Sequence, residues 1–462
     1  MKSVRLFGFA LIVGGLATGI AAAQMPGYAG SPSLASQAPS TLQYPFPAAG
    51  GAQPVGYVAE EPTPNGNGNG GNGEEEKKED EGFKLFKLPA LRERGFEIRG
   101  WLDQSFTYNP GEPLNRFNGP VTFNDRSNEY QMNQLYLVAE RATKTEERDW
   151  DLGGRVDLLY GTDHRFTTAV GLEDTWNQGS RFYGLAMPQL YGDFAFRKWV
   201  FRFGHFYTLH GYEVVRAPDN FFLSHAYTMQ YGEPFTHTGM MAMWQMTERF
   251  SLSGGILQGW DNWTDANRKA SFTGGVNWVS ESKRTALAWA VTAGNEQAPG
   301  IPSTRTFSSV VLTQRLGDKW NYVFENDYGY ETNVGGGGTD ARWHSFVNYL
   351  FYELNEKWSL GARYEWFTDV DGTRVAGIGI RDGMLKGIPL TAIPARWQEA
   401  TVGFNYKHNK NVTLRSGARW DWAVPIRGAG WVDGGGNPAQ GPYNDFTQRR
   451  QFLWDLDMIV SF

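Results

Sequence analysis

The stretch Phe452-Leu453-Trp454-Asp455-Leu456-Asp457-Met458-Ile459-Val460-Ser461-Phe462 closes the sequence. Phe452, Trp454, Leu456, Met458, Val460 and Phe462 share one parity. Leu453, Asp455, Asp457, Ile459 and Ser461 share the other. Successive side chains of a strand point to opposite faces, so this is a strand with one wholly apolar face and one mixed face. Its length exceeds that of a typical sandwich strand and suits a tilted strand crossing a bilayer, which takes about 9–11 residues. A Phe at the end of such a strand is the pattern expected of the assembly signal read by outer-membrane assembly machinery, and Phe462 is assigned that role.

Moving outward, the same alternation recurs back to Phe96. Trp358, Leu360, Ala362, Tyr364 and Trp366 alternate with Ser359, Gly361, Arg363 and Glu365. Val412, Leu414, Ala418 and Trp420 alternate with Thr413, Arg415, Gly417 and Arg419. Trp320, Tyr322 and Phe324 do the same against Asn321, Val323 and Glu325. Strands are expected at 96–107, 131–140, 151–160, 189–196, 199–208, 238–246, 250–260 and 270–279. Eight more are expected at 284–294, 305–316, 319–330, 342–353, 357–368, 396–408, 411–421 and 447–462. Short polar turns near 145–149, 197–198, 247–249, 280–284, 317–319, 355–357 and 409–410 alternate with mostly longer connections. Those are 109–130, 161–188, 210–237, 295–304, 331–341, 369–395 and 422–446, with a shorter one at 261–268. Trp199, Trp278, Trp320, Trp358, Trp397 and Trp420 sit near strand ends, where an interfacial girdle would place them. The expected fold is all-β: a transmembrane antiparallel β-barrel of sixteen strands over 96–462, with strand 447–462 pairing strand 96–107. Backbone groups in lipid must be paired internally, which demands that closure. A barrel of that size encloses an aqueous channel.

The N-terminal part differs in kind. Lys2 and Arg5 precede an apolar run from Leu6 to Ala23, and Ala21-Ala22-Ala23 offers a small-residue cleavage site, so 1–23 is expected to be a signal peptide. Residues 24–82 are rich in Pro, Gly and Asn and then acidic, which predicts a disordered tether able to touch the cell wall. Residues 83–95 read as a short linker, interfacial element or plug. No later stretch is long and apolar enough for a spanning helix. With no cysteine, a lipid-modified N-terminal thiol, a disulfide framework and thiolate chemistry are all excluded. The chain has 57 Gly, 18 Trp, 21 Tyr and 30 Phe among 462 residues, yet its mean hydropathy is -0.47. Many rings on a polar average suit a wall that shows lipid only every second residue. The net charge of -6, or -8 once Lys2 and Arg5 are removed, gives no basic patch for nucleic acid.

Four stretches carry a family likeness: Gly95-Phe96-Glu97-Ile98-Arg99-Gly100-Trp101-Leu102-Asp103, Asn133-Gln134-Leu135-Tyr136-Leu137, Ala217-Pro218-Asp219-Asn220-Phe221-Phe222-Leu223-Ser224-His225-Ala226-Tyr227, and Tyr231-Gly232-Glu233-Pro234-Phe235-Thr236-His237-Thr238-Gly239. With these the chain resembles the OmpL-like, beta-barrel porin-2 family of planctomycete type over about 95–462. The resemblance implies an outer-membrane channel and names no substrate.

Within the barrel, segment 210–237 is the expected pore constriction. It mixes His210, Glu213, Arg216, Asp219, His225, Glu233 and His237 with several aromatics. Loops of that length are usually functional, and charged groups inside a pore set its field. Arg216 and Asp219 are expected at the narrowest point, pairing with Arg202 or Glu325 of the wall. The competing account is a lid of packed loops outside the barrel, in contact with a neighbouring barrel of a homotrimer. Arg155 with Asp157, Glu325 with Asp327, Arg363 with Glu365, and Arg415 with Arg419 each share a strand face, and Arg202 stands alone on its strand. Charge on the lipid face costs about 2–4 kcal/mol at mid-depth for Arg or Lys, so these line the lumen wall, as ion pairs or as solute contacts. The histidine spacings match no zinc set, so no metal and no cofactor are expected. Ser224 and His225 are adjacent and face opposite ways on a strand, and no nucleophile-elbow or phosphate-loop motif is present, so no enzyme is expected. The function expected is passive, weakly selective diffusion of small hydrophilic solutes. The alternatives are a structural or adhesive surface barrel and a soluble carbohydrate-binding sheet protein.

Overall fold

Parity sorts each strand. Along Arg450–Ser461, Trp454 and Leu456 are 41% and 43% exposed, while Asp455 and Asp457 are 1% and 2% exposed. Such a strand is inside-out for water and correct for lipid: apolar rings outward, carboxylates inward.

The computed structural model describes residues 82–462, apart from 147, 178–181, 266, 376–392 and 433–436. The expected signal peptide and tether, up to residue 81, lie outside the described residues. Within them, sixteen antiparallel strands close into a barrel. They are β1 (Phe96–Tyr108), β2 (Tyr130–Arg141), β3 (Trp150–Gly161), β4 (Gly184–Phe196), β5 (Trp199–Tyr207), β6 (Thr236–Thr247), β7 (Phe250–Leu257) and β8 (Ser271–Val279). The second half comprises β9 (Thr285–Gly294), β10 (Arg305–Leu316), β11 (Trp320–Val334), β12 (Thr339–Glu353), β13 (Trp358–Asp369), β14 (Ala395–Lys407), β15 (Val412–Pro425) and β16 (Arg450–Ser461). Every neighbour in sequence is a neighbour in the wall, and β16 returns to β1.

Closure is by the expected pair. Trp101 faces Ser461 and Tyr108 faces Trp454 across the seam. Beyond the strand end, Phe462 and Gly100 exchange two backbone hydrogen bonds of 2.9 Å. Gly100 is needed there, because a side chain would press on the Tyr136 carbonyl and the Phe462 ring.

Two boundaries depart from expectation for readable reasons. Pro188 lacks a donor and was expected to end a loop, yet β4 begins at Gly184 and carries it. The register shifts between Asp157 and Leu159, so Pro188 sits on a bulge that needs no ladder bond. The connection expected at 331–341 is instead a tight turn over 335–338, because β11 and β12 extend past the belt. Gly335, Gly336 and Gly338 there take φ of 66°, 76° and 74°, a region open to glycine.

Segment 83–95 lies at the short-turn end. Phe83 N–H donates to Asn411 Oδ1 and Asn411 Nδ2 donates to Phe83 O, both at 2.7 Å. A four-residue helix, Pro89–Arg92, follows.

The core sits inside the wall. Trp101, Trp343 and Trp397 from the strands pack with Phe123, Tyr231 and Trp260 from the long connections in one buried cluster. The open aqueous channel expected from strand number is therefore filled in part by infolded connections. Trp199, Trp278, Trp320, Trp358 and Trp420 face outward as expected, but Trp397 is 1% exposed and points inward. It shares parity with the lumen acid Glu399, which decides its side.

Candidate functional site

A connection that enters a barrel carries backbone donors and acceptors away from water, and each needs a partner. The connection between β5 and β6, residues 208–235, meets that demand with the wall's polar side chains. It leaves β5 with His210 Nε2 2.6 Å from Thr292 Oγ1. Tyr212 N–H then donates to Glu325 Oε1 at 2.7 Å. Gln134 bonds the segment twice: its Nε2 donates to Val215 O at 2.6 Å and its Oε1 accepts from Ala217 N–H at 3.1 Å. Arg415 donates to the carbonyls of Ala217 and Asn220, both at 2.8 Å. Arg363 donates to Ser224 O at 2.7 Å, and Arg419 to His225 O. Glu365 accepts from the amides of Tyr227 and Thr228. Trp343 Nε1 donates to Gly232 O at 2.9 Å. The segment thus reaches β2, β9, β11, β12, β13 and β15, so it lies inside the barrel and is not an external lid.

Side chains complete the seating. Tyr227 OH donates to Asp421 at 2.7 Å, and Thr228 Oγ1 donates to Asp327 at 2.6 Å. Phe221 packs against β13 where Gly361 stands, and any Cβ at Gly361 would overlap its ring.

Three of the five constriction candidates lie within this packing. Glu213 is 6% exposed, His225 4% and Glu233 1%. Glu213 bridges two groups, accepting from Arg363 Nη1 through Oε1 and lying 3.1 Å from His225 Nδ1 through Oε2. Burial opposes its charge, but Arg363, His225 and the Ala226 amide outweigh burial and hold its pKa at about 2. Burial lowers the pKa of His225 despite Glu213, and burial with nearby His237 lowers His210 well below the usual histidine range. Arg216 and Asp219 differ: they form a 2.9 Å ion pair with side chains 10% and 26% exposed. Neither pairs with the wall charges expected. Arg202 is bound to Asp193 at 2.8 Å, and Glu325 takes the Tyr212 amide. The constriction candidate that forms an ion pair with the wall is Glu213, because Arg363 faces it directly.

The wall charges all lie on the lumen face. Arg155 clasps Asp157 with bonds of 2.6 and 2.9 Å. Arg415 is paired with Asp457 at 2.6 Å and Arg419 with Asp421 at 2.8 Å. Arg363 bonds Glu399 at 2.7 Å rather than Glu365 of its own strand. Sequence reasoning missed Gln134, Glu399, Asp421 and Asp457. Strand parity could have placed all four inward, but only the loop's path shows what they hold.

A closed barrel with a polar lumen face, a lipid-facing apolar face and an infolded connection defines an outer-membrane channel. Residues 95–462 match the family described as beta-barrel porin-2, OmpL-like, and the chain belongs to it: it is an outer-membrane porin. Among solved structures it is similar to an anion-selective porin from Comamonas acidovorans, at 10% identity and TM-score 0.53, over 79% of this chain and 99% of that one. It is also similar to OmpT of Vibrio cholerae in its trimer form, at 11% identity and TM-score 0.51, over 79% and 99%. OprB of Pseudomonas putida matches at 11% identity and TM-score 0.51, over 81% and 96%. At such identities the likeness is one of fold. The search of curated proteins found no match.

Proposed function

We propose that small hydrophilic solutes diffuse passively through this porin with weak selectivity, along a narrow path whose bore is set by segment 210–237. The observation that carries this is the contrast in exposure within the segment. Glu213, His225 and Glu233 are sealed in the packing, while Asp219, at 26%, retains contact with solvent beside its buried partner Arg216. Asp219 is then the charge a solute meets, with Arg216 paired directly behind it, and Glu213, His225 and Glu233 anchor the segment. Adjacent charges of opposite sign give a strong local field with little net charge, which favours neither cations nor anions strongly. Deleting 216–232 while keeping the strands should raise single-channel conductance in planar bilayers and weaken ion selectivity. An assembled deletion variant with unchanged conductance and selectivity would rule the role out.

The filled lumen favours one second reading, a structural or adhesive barrel tied to the envelope through 24–82. Absence of any channel in the purified protein, together with tight binding to cell wall, would select it. We further propose a homotrimer, supported by the trimer form of OmpT, and recognition of the β16 strand with Phe462 by the assembly machinery.

A further inference from the structure

Many buried acids in this barrel have guanidinium partners. Asp157 has Arg155, Asp457 has Arg415, Asp421 has Arg419, Glu331 has Arg305, and Glu213 and Glu399 share Arg363. Others, such as Glu365 and Asp369, accept backbone amides instead, and one group of three is packed acid against acid. Glu233 from the infolded segment meets Glu325 and Asp327 of β11, with one carboxylate oxygen of each within 4.8 Å of the others. The three are 1%, 1% and 0% exposed, and among the described residues none of them forms an ion pair.

We propose that Glu233, Glu325 and Asp327 bind a divalent cation, calcium above all, which clips the end of the constriction segment to the wall. Neutral donors orient the two wall acids. Asp327 Oδ2 accepts from Thr228 Oγ1 at 2.6 Å and Ser345 Oγ at 3.1 Å. Glu325 accepts from Tyr212 N–H at 2.7 Å and from Tyr349 OH at 3.3 Å. That leaves Asp327 Oδ1 without a hydrogen-bond partner. Opposite it, neither oxygen of Glu233 has one, although the residue is buried. A carboxylate held out of water, without a donor and aimed at two others, lacks a positive charge at their centre.

The donor chemistry selects the ion. All the donors are oxygen, which suits hard cations and not zinc or copper. Calcium binds oxygen at about 2.3–2.6 Å, so ligands on opposite sides lie about 5 Å apart, whereas magnesium draws them to about 4 Å. Magnesium also demands near-ideal octahedral geometry, keeps several waters and usually takes one or two carboxylates, so three buried carboxylates within 4.8 Å of one another suit calcium better. Three carboxylates cannot fill its shell of about 6–8 oxygens alone, so water completes it. The effect is a cross-link from Glu233, near the loop's return to β6, to Glu325 and Asp327 of a strand across the lumen. It acts beside the Glu213–Arg363 contact and does not depend on what the pore conducts.

The test uses the full-length protein in detergent, stripped with a chelator and titrated with calcium chloride by calorimetry at neutral pH. We expect a single high-affinity site, weaker binding of magnesium, and a rise in apparent unfolding temperature with millimolar calcium. Terbium alone should occupy the site and luminesce on tryptophan excitation, since Trp343 bonds the carbonyl of Gly232, next to Glu233. Calcium should quench that signal by displacement. Glu233→Gln and Asp327→Asn should each weaken calcium at least about tenfold. If Asp327→Asn fails to assemble, Glu233→Gln carries the test, because it lies on the loop. No calcium heat and no terbium signal in the wild type would overturn the proposal, and so would binding unaltered in Glu233→Gln.

Discussion

Replacing Arg363 with Met tests whether the wall charges hold the infolded segment. Arg363 is 0% exposed at its side chain, and its guanidinium faces Glu213 of the segment, Glu399 of β14 and the Ser224 carbonyl. Methionine keeps much of the volume and removes every donor. Glu213 and Glu399 are then buried carboxylates without their cation. Removing one partner of a buried pair typically costs about 3–5 kcal/mol. Part of that is relieved if Glu213 leaves the lumen with the segment, whereas Glu399 is fixed in the wall. A penalty of that size shifts the balance between seated and released segment by about two to four orders of magnitude, at about 1.4 kcal/mol per decade. In planar bilayers the variant should show larger or flickering conductance steps, and its heat-induced unfolding in detergent should begin earlier. Adding Glu213→Gln to Arg363→Met should recover part of both effects, since the loop charge is then gone. An assembled Arg363→Met barrel with wild-type conductance, noise and unfolding temperature would refute the idea that this contact seats the segment.

Asp219→Asn should change the ratio of anion to cation permeability; reversal potentials in a salt gradient measure it, and an unchanged ratio would remove Asp219 from the path. Gly361→Val should drive Phe221 from its place at a cost of about 1–3 kcal/mol of packing, read as earlier unfolding and higher conductance noise. Acidification should loosen the segment. His210 and His225 have folded pKa values below their unfolded value of about 6.5, so the released state binds more protons and seating weakens as pH falls through that value. The groups facing them are Thr292 and His237 for His210, and Glu213, Arg363 and Arg415 for His225. Glu213 acts with the opposite timing, its contribution persisting until pH falls below about 4 and toward its folded value of about 2. Conductance noise that rises between neutral pH and pH 5 would agree; noise flat across that range would count against neutral, buried histidines.

How much of this was legible before the fold depends on whether a residue's side or its partner is in question. Side follows from parity: Arg363 and Glu365 alternate with Leu360, Tyr364 and Trp366, and the lipid's penalty for charge then fixes which face is the lumen. The same argument places Trp397 inward with Glu399, although a tryptophan near a strand end looks like a girdle residue. Partner does not follow from parity, because it depends on stagger between strands and on the path of a connection far away in sequence. Arg363 and Glu365 look like a pair on one strand, yet Arg363 turns to Glu399 on the next strand and to Glu213 in the loop, while Glu365 accepts backbone amides from Tyr227 and Thr228. The requirement behind that arrangement is general: a connection folded into a barrel brings unpaired backbone groups, and side chains of the wall and of the connection itself must meet them. A lumen rich in both Arg and acids therefore need not be a solute-reading surface. Here many of those charges are occupied in holding the infolded segment, and the loop charge left in contact with solvent, Asp219, is paired with Arg216 of the segment itself.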